Sequence, residues 1–393
     1  MMKINYPLAQ STWDDKEIKA IQRVIDSDQY SMGSFVEEYE KRFADFFGTK
    51  YCVMTSSGST ANLLMIASLF FVDDKRLRLQ RGDEVIVPAV SWSTTYYPLQ
   101  QYGLKLIFVD IDKETLNFDL DALEKSISSK TKAILAVNLL GNPNDFNRIK
   151  EISSKHSLFL LEDNCESMGS LYAGRYSGTF GEMGSFSSFF SHHISTMEGG
   201  CLITNNEQIY HILLSLRAHG WTRNLPDINT LTKRKSSDQF EESFKFILPG
   251  YNVRPLEMSG SIGIEQLKKL PYLLKGRQEN ATVFKEAFFD HNIVEIQKEL
   301  GTSSWFGFAL ILKENAKVSR AEIIKQLTKA GVECRPIVTG NFLKHEVMEY
   351  INHDVPFPLT NADHIDKNGF FIGNNHIDAK KTILQISDFL NTF

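Results

Sequence analysis

Short apolar runs recur along the first half of the chain, and amphipathic segments separate most of them. The runs that we interpret as strands are residues 84–87, 106–109, 133–137 and 158–163. Strands that are apolar throughout are typical of a parallel sheet covered by helices on both faces, because neither face meets water. The sequence therefore predicts an α/β fold with a mostly parallel central sheet.

The length of the chain and a change of pattern beyond residue 260 indicate two domains. A chain of 393 residues is longer than one compact core usually supports. We predict a large domain at residues 1–262, with an N-terminal arm, and a smaller α+β domain at 263–393. Further predictions are helices at 205–223 and 258–270, a strand at 306–312, and a mobile loop or an arm toward a partner subunit at 224–242.

Composition excludes several classes of function. The formal net charge is -5 and provides no basic surface for a phosphate backbone, so nucleic acid is not an expected partner. We find neither a secretory signal nor an apolar run of bilayer length, and we expect a cytoplasmic protein without membrane contact. The four cysteines, Cys52, Cys165, Cys201 and Cys334, are far apart in sequence, so no metal or iron–sulfur site is expected.

Residues that follow the predicted strands are the first candidates for a ligand site, because the carboxyl ends of parallel strands meet at one edge of the sheet. Gly58 and Ser59 begin a helical pattern and either present backbone N–H groups to a phosphate or form an ordinary helix cap. Asp163 ends an apolar strand and either pairs with a cation, such as a protonated ring nitrogen, or caps the next turn. Trp92 either stacks on an aromatic ligand or packs in the core.

Two adjacent histidines lie in the middle of a polar stretch, residues 184–200, that ends in Glu198 and two glycines. The pattern predicts a strand, a polar turn and a return, which is the shape of a loop that presents side chains to a cleft. Neighbouring side chains of an extended segment point to opposite sides. One of His192 and His193 is therefore expected to face the cleft and the other to pack away from it, and the residues alone do not decide which.

Six stretches of the chain together resemble the sugar-nucleotide aminotransferase and dehydratase family. They are residues 57–60, 88–92, 162–166, 186–200, 217–220 and 250–254. Members of this family have the aspartate-aminotransferase fold (type I) and act as homodimers. The resemblance implies the same fold, the cofactor pyridoxal 5′-phosphate (PLP), bound by the large domain, and a homodimer in which the two chains share each active site.

One position departs from the aminotransferases of the family. They carry a cofactor-linking lysine six residues before the glutamate of a Glu-Gly-Gly motif, and counting back from Glu198 gives His192. No lysine is present between Lys155 and Lys233 to replace it. The run 191–194 is similar to dehydratases of the family, which implies that His192 is the catalytic base and that the cofactor is held without a covalent bond.

The resemblance also implies which residues hold the cofactor. Those expected at its phosphate are Gly58, Ser59, Ser187 and, from the second subunit, Asn252. Those expected at its ring are Asp163 at the ring nitrogen, Trp92 on the ring face and Glu166 at the ring hydroxyl.

The residues expected to bind substrates form two further sets. Arg254 and His219 are expected at the carboxylates of the amino donor L-glutamate, since the guanidinium fork suits bidentate binding. The set expected at the nucleotide of a GDP-linked 4-keto-6-deoxy sugar is Asp28, Gln29, Tyr30, Ser31, Arg223 and Glu333. No metal is expected in either half of the site.

The reaction implied by the resemblance is removal of the C3 hydroxyl from the keto sugar, as in the synthesis of O-antigen sugars such as colitose. Glutamate converts PLP to pyridoxamine 5′-phosphate and leaves as 2-oxoglutarate, and the sugar is then released as a 3,6-dideoxy-4-keto product with ammonia. An imidazole moves protons but does not form the lysine-type link to PLP. Three alternatives stay open: a sugar aminotransferase, an iron–sulfur 3-dehydratase, and a non-catalytic relative that binds PLP or a sugar nucleotide.

Overall fold

The structure is a computed structural model that describes residues 4–393. Residues 1–3, on which the prediction of no signal segment partly rests, lie outside the described residues. The helices are α1 (Asp15–Ser27), α2 (Ser34–Phe47), α3 (Gly58–Ser68), α4 (Ser93–Gln101), α5 (Leu120–Lys125), α6 (Phe146–His156), α7 (Glu207–Arg217), α8 (Gln239–Ser243), α9 (Glu257–Ala287), α10 (Arg320–Ala330), α11 (Thr360–Asn368) and α12 (Lys380–Leu390). The strands are β1 (Tyr51–Thr55), β2 (Glu84–Pro88), β3 (Lys105–Val109), β4 (Thr131–Val137), β5 (Phe159–Asp163), β6 (Leu171–Tyr172), β7 (Arg175–Tyr176), β8 (Met183–Ser187), β9 (Gly200–Thr204), β10 (Ile228–Asn229), β11 (Lys233–Arg234), β12 (Val294–Ile296), β13 (Gly307–Leu312), β14 (Cys334–Arg335), β15 (His353–Asp354) and β16 (Gly369–Gly373).

Eight strands form the central sheet in the order β1-β9-β8-β5-β4-β2-β3-β15. Every neighbouring pair from β8 to β15 is parallel, and β9 runs antiparallel to both β1 and β8. The predicted mostly parallel α/β sheet is confirmed. Its parallel strands bring the ends of β2, β5 and β8 to one edge, which is where a ligand site is expected.

Helices cover the central sheet on both faces. Leu64, Leu99 and Ile212, from α3, α4 and α7, pack in the core on one face. Phe146 and Ile149, from α6, pack in the core on the other face. All five residues of β2 and of β5 are buried as a result. This double cover explains why the strands have no polar side, because burial of both faces favours apolar residues throughout.

The C-terminal part of the chain forms a second, antiparallel sheet in the order β12-β13-β16-β14. Helix α9 links the two parts of the molecule. Leu267 and Leu270 in its first half pack beside α2, whereas Ala281 and Phe284 in its second half pack in the core of the smaller sheet. The predicted domain boundary at 262/263 lies within this helix and stays a prediction.

The structure refines three predictions of local structure. Helix α7 ends at Arg217 rather than 223, because Ala218 leaves helical geometry and Gly220 turns the chain at φ 82°. The stretch 224–242, predicted as a mobile loop or an arm toward a partner subunit, contains the β10–β11 hairpin and the start of α8, and its reach to a partner stays a prediction. The predicted helix 258–270 is the first part of the 31-residue α9.

Within residues 4–393, no helix is both long and apolar enough to cross a membrane. In the same residues, no group of three or more histidine, cysteine, aspartate or glutamate side chains is arranged to hold a metal ion. The four cysteines are free thiols.

Candidate active site

A cavity of about 540 Å³ opens at the carboxyl ends of β5 and β8. The residues predicted from the sequence that line it are Gly58, Ser59, Trp92, Asp163, Glu166, Ser187 and His192. The C-terminal part of the chain closes it from the other side with Phe306, Arg335, Val338 and Phe371. Its size and its mixture of apolar and polar walls suit a small planar ligand.

The N-terminus of α3 forms one end of the cavity. Ser57 caps the helix by accepting a hydrogen bond from the backbone N–H of Thr60 at 3.1 Å. A Cβ atom on Gly58 would lie 2.6 Å from the Cβ of Ser187, so only glycine allows this close approach of β8. The first backbone N–H groups of a helix have no partner within it and favour an anion. The two alternatives for Gly58 and Ser59, a helix cap and an anion site, are therefore possible at the same time.

Asp163 is buried, and neutral donors hold its carboxylate. Asn62 Nδ2 and Thr95 Oγ1 donate to Oδ2 at 2.8 and 2.7 Å, and Cys165 N donates to Oδ1 at 3.1 Å. Thr95 in turn is bonded to Ser91 at 2.8 Å. The hydrogen bond from Cys165 N is the turn cap, one of the two alternatives for Asp163. The bonds from Asn62 and Thr95 fix the carboxylate in the cavity wall. A cationic ligand group would complete the pairing that burial of a carboxylate favours.

Glu166 lies close to Asp163 and accepts a hydrogen bond from Leu140 N at 3.0 Å. Burial, reinforced by the negative charge of Asp163 and opposed by the Leu140 N–H, raises the pKa of Glu166 to about 7. Leu140 itself has a positive φ of 52°. Near neutral pH the carboxyl of Glu166 is therefore able either to donate or to accept a hydrogen bond.

Trp92 is 57% exposed and immediately precedes α4. Core packing, one of the two alternatives for this residue, is therefore wrong. An exposed indole at the wall of a cavity offers a free aromatic face to a ligand.

The loop that joins β8 to β9 presents His192 to the cavity. Hydrogen bonds from Ser188 N to Gly199 O and from Thr196 N to Ser188 O, both 2.9 Å, close its base. His193 is fully buried, and its Nε2 lies 3.1 Å from the backbone oxygen of Ser304. The expectation that one histidine faces the cleft and the other packs away is confirmed.

The surroundings of His192 keep its imidazole neutral. Its ring meets Phe189 and Phe306 edge to face, with centroid distances of 5.9 and 5.1 Å. Nδ1 is buried and lacks a hydrogen-bond partner within residues 4–393, so Nε2 is the nitrogen left to face the cavity. Burial, with a smaller contribution from the positive charge of Arg277, lowers the pKa of His192 to about 4. A neutral imidazole at pH 7 is able to accept a proton.

Comparisons with known proteins identify the family. Residues 11–376 match the DegT/DnrJ/EryC1/StrS aminotransferase family. This chain belongs to that family. The curated GDP-4-keto-6-deoxy-D-mannose 3-dehydratase of Yersinia pseudotuberculosis is 64% identical to it over 388 residues, which are 98% of each protein. The resemblance that the motifs indicated is confirmed.

Two solved structures of similar enzymes give the same result for the fold. Escherichia coli GDP-4-keto-6-deoxy-D-mannose-3-dehydratase with bound hydrated PLP has a TM-score of 0.97 and 59% identity, covering 99% of this chain and 100% of that one. A GDP-4-keto-6-deoxymannose-3-dehydratase with a trapped PLP-glutamate geminal diamine has a TM-score of 0.96 and 59% identity, covering 98% of this chain and 100% of that one. The predicted aspartate-aminotransferase-like fold is confirmed.

Asn252 and the residues predicted to bind glutamate, Arg254 and His219, lie outside the cavity of their own chain. Arg254 Nε donates to Asn252 Oδ1 at 3.0 Å, and Arg254 Nη2 lies 3.4 Å from His219 Nε2. His219 adopts a positive φ of 63° at the turn after α7. These three side chains therefore form a polar cluster of their own, and their assignment to a cofactor or a substrate stays a prediction.

The predicted nucleotide-binding residues are exposed and dispersed. Arg223 lies over the ring of Trp221 at 5.3 Å, and Glu333 Oε2 accepts a hydrogen bond from Leu8 N at 3.0 Å. The stretch 28–31 follows α1, and the backbone oxygen of Tyr30 accepts a bond from the first residue of α9. Their role at a nucleotide also stays a prediction.

Several residues of the site were not found from the sequence. Asn62 lies one turn into α3 and Thr95 lies in the first turn of α4, close to Gly58–Ser59 and to Trp92. The signal available for Asn62 was its spacing of four residues from Gly58, which places both on one helix face. Phe306 had no such signal, because it reaches the cavity only through the packing of the C-terminal sheet.

Proposed function

We propose that this chain catalyses removal of the C3 hydroxyl of GDP-4-keto-6-deoxy-D-mannose, with L-glutamate as amino donor. The products are the 3,6-dideoxy-4-keto sugar nucleotide, 2-oxoglutarate and ammonia. The two reducing equivalents come from oxidation of glutamate, and the water lost at C3 balances the water consumed in releasing ammonia. Such a lyase serves the synthesis of colitose for the O-antigen of lipopolysaccharide.

One observation carries this proposal. His192 lies in the cavity at the position of the family's lysine, and no lysine lines the cavity within the described residues 4–393. A sugar aminotransferase needs an amine there to link the cofactor and to protonate the sugar at C4. The similarity to two dehydratases at 64% and 59% identity supports the same choice.

The cavity fits PLP. Gly58, Ser59 and Ser187 would hold the phosphate at the N-terminus of α3, joined by Asn252 of the second subunit. Asp163, already fixed by two side-chain donors, would pair with the ring nitrogen. When bound, the cofactor supplies an electron sink to the carbon next to its amine.

Two further residues would contact the cofactor ring. Trp92 would stack on its face, and Glu166 would bond its hydroxyl. Because the pKa of Glu166 is raised to about 7, this carboxyl can match either protonation state of the hydroxyl.

His192 would move the proton in both halves of the reaction. In the glutamate half, Nε2 of the neutral imidazole would take the proton from the α-carbon of glutamate and deliver it to C4′. In the sugar half, it would take a proton at C4′ and give it to the departing C3 oxygen. Phe189 and Phe306 would exclude water from the edge of the His192 ring, which would keep the proton transfer within the cavity. With no amine side chain to protonate the sugar at C4, the nitrogen that glutamate supplied through the cofactor would leave C4 by hydrolysis as ammonia rather than remain as an amino sugar.

Substrate binding would use the residues outside the cavity. Arg254 and His219 would bind glutamate carboxylates, and Arg223, Glu333 and the stretch 28–31 would bind the GDP moiety. We propose a homodimer in which Asn252 and its neighbours serve the partner's cavity, located in the cytoplasm with the nucleotide sugar.

The direct test is incubation of the purified protein with PLP, glutamate and GDP-4-keto-6-deoxymannose, followed by mass spectrometry of the nucleotide sugar. Loss of one oxygen from the sugar, with one 2-oxoglutarate and one ammonia formed for each product, is expected. A stable amino sugar would assign the chain to the aminotransferases. Absence of turnover with all three components would favour the non-catalytic alternative.

A further inference from the structure

Arg277, in the middle of α9, is a buried cation whose partners are backbone carbonyls. Only 4% of its surface is exposed. Nη1 donates to the backbone oxygens of Trp305 and Phe306, both at 3.2 Å, and of Asn374 at 2.6 Å. No carboxylate pairs with it within residues 4–393. Burial without a counter-ion is costly, so its retention at this place points to a function.

The segment that Arg277 holds packs directly on the histidine pair. The Phe306 ring lies 5.1 Å from the His192 ring and 5.8 Å from the His193 ring. His193 Nε2 lies at the oxygen of Ser304, in the same segment. On the opposite side, Ser304 N and Phe306 N each donate at 3.0 Å to the turn that also binds Glu166. Arg277 thus fixes a segment that touches both histidines.

We propose that Arg277 is a positioning residue for His192: it clamps Phe306 against the imidazole, and its buried positive charge adds to the burial that disfavours an imidazolium. The inference rests on the proposed role of His192 as the base. Arg277 touches neither substrate nor cofactor and acts only through His192.

The electrostatics around His192 agree with this geometry. Burial lowers the pKa of Arg277 to about 10, so it remains charged at neutral pH. Its charge is the second cause, after burial, that lowers the pKa of both histidines. The other titratable or charged groups that face His192 or Arg277 are His193 and Glu198 of the same loop, Asp163, Glu166 and Arg335 across the cavity, and Tyr6 and His376 beside Arg277.

The first test is the Arg277→Gln variant, compared with Arg320→Gln as a matched control. Arg320 also donates to backbone carbonyls, but those belong to Asp366 in α11 and Gly369 in β16 rather than to the segment that packs on the histidines. The titration of His192 is followed by NMR of histidine-labelled protein, with its signal assigned by its loss in His192→Asn. Since removal of the charge favours the imidazolium, the midpoint should rise by about one pH unit in Arg277→Gln and stay unchanged in Arg320→Gln.

The same rise should appear in turnover. The acidic limb of kcat/KM for the glutamate half-reaction should move upward with the titration in Arg277→Gln, and Arg277→Lys, which keeps the charge, should restore it. A uniform loss of activity at every pH, with an unmoved midpoint, would show that Arg277 is merely structural and would overturn the proposal. The titration needs no substrate, so it separates failure of this inference from failure of the proposed function.

Phe306→Leu is the second variant, and it tests the proposed role of Arg277 even if Arg277→Gln does not fold. The charge stays in place and leucine keeps most of the apolar cover, so the midpoint of His192 should move less than in Arg277→Gln, whereas kcat should fall about tenfold through loss of the clamped ring. A midpoint that rises by about one pH unit in this variant would show that packing alone keeps the imidazole neutral. An unchanged kcat would exclude the clamp.

Discussion

The cofactor end of the cavity and the proposed substrate residues are held in different ways. Asp163 is buried and hydrogen-bonded to Asn62 and Thr95 within one chain. Within residues 4–393, the side-chain partners of Arg254 are Asn252 and His219, outside the cavity. The fold of one chain therefore preorganises the cofactor end, whereas the proposed substrate end would be completed by a second chain or a bound substrate.

This difference fits an enzyme that holds PLP without a covalent link. Most of the binding free energy must then come from fixed donors and charges, because a lysine no longer contributes a bond. Preformed groups lose little entropy on binding, so the cofactor end gains affinity from its rigidity. The substrate end exchanges glutamate and a sugar nucleotide in turn, and residues that are free to rearrange suit that exchange.

Replacement of His192 should give the largest effect and should leave both ends of the cavity intact. In His192→Asn we expect turnover to fall by about 10²- to 10⁴-fold, because general acid–base catalysis is lost. Cofactor affinity, followed by the visible absorption of PLP, should be unchanged. The matched control is His193→Asn, which removes the bond to Ser304 and should lower thermal stability with a smaller loss of turnover. Full turnover in His192→Asn would contradict the proposed role.

Complementation between two inactive variants tests whether the substrate end is shared. His192→Asn and Asn252→Asp are each expected to be inactive, the second because a carboxylate repels the cofactor phosphate. If Asn252 serves the partner's cavity, half of randomly paired dimers contain one intact site. Unsorted co-expressed protein should then regain roughly a quarter of wild-type turnover, and mixed dimers isolated with two affinity tags roughly half. Mixed dimers as inactive as their parents would place Asn252 in the cavity of its own chain.

The sequence predicted the cofactor end better than the substrate end, for physical reasons. Strands buried on both faces have a strong apolar signal, so Asp163 was predicted as soon as its strand was, whereas Ser187 was assigned through the family resemblance. The opposed directions of His192 and His193 followed from strand geometry alone. The choice of His192 over His193 as the active imidazole could be made only from the family resemblance.

Residues that act through tertiary packing gave no signal of this kind. Arg277 and Phe306 are remote in sequence from His192, and only the fold of the C-terminal part brings them to it. Thr95 has the pattern of an ordinary residue in a first helical turn, and its bond to Asp163 depends on the spacing of two strands. The proposed substrate residues lie outside the cavity of one chain, and the sequence of one chain gives no information on how a second chain is placed.

Asp163→Asn should lower the affinity for PLP more than Glu162→Gln, a change at the neighbouring carboxylate. We expect PLP affinity to fall roughly 10- to 100-fold, since a hydrogen bond to a charged group contributes about 1.5–3 kcal/mol. The matched control is Glu162→Gln. Glu162 is also buried in β5, but it accepts bonds only from backbone N–H groups of Gly178, Phe180 and Gly181. Calorimetry with PLP should show unchanged affinity in the control, and equal losses in both variants would contradict the assignment of Asp163.

Thr95→Val should give the smallest effect, and it measures how much the preorganisation of Asp163 contributes. Valine keeps the shape of threonine but removes one donor to the carboxylate, at a cost of about 0.5–1.5 kcal/mol, which corresponds to PLP affinity roughly two- to tenfold lower. Thr204→Val is the control, because its hydroxyl is also buried but bonds only backbone groups at the far end of β9. If both variants bind PLP like the wild type, burial alone fixes the carboxylate of Asp163. The cofactor end and the substrate end would then differ in where their residues lie and not in how those residues are hydrogen-bonded.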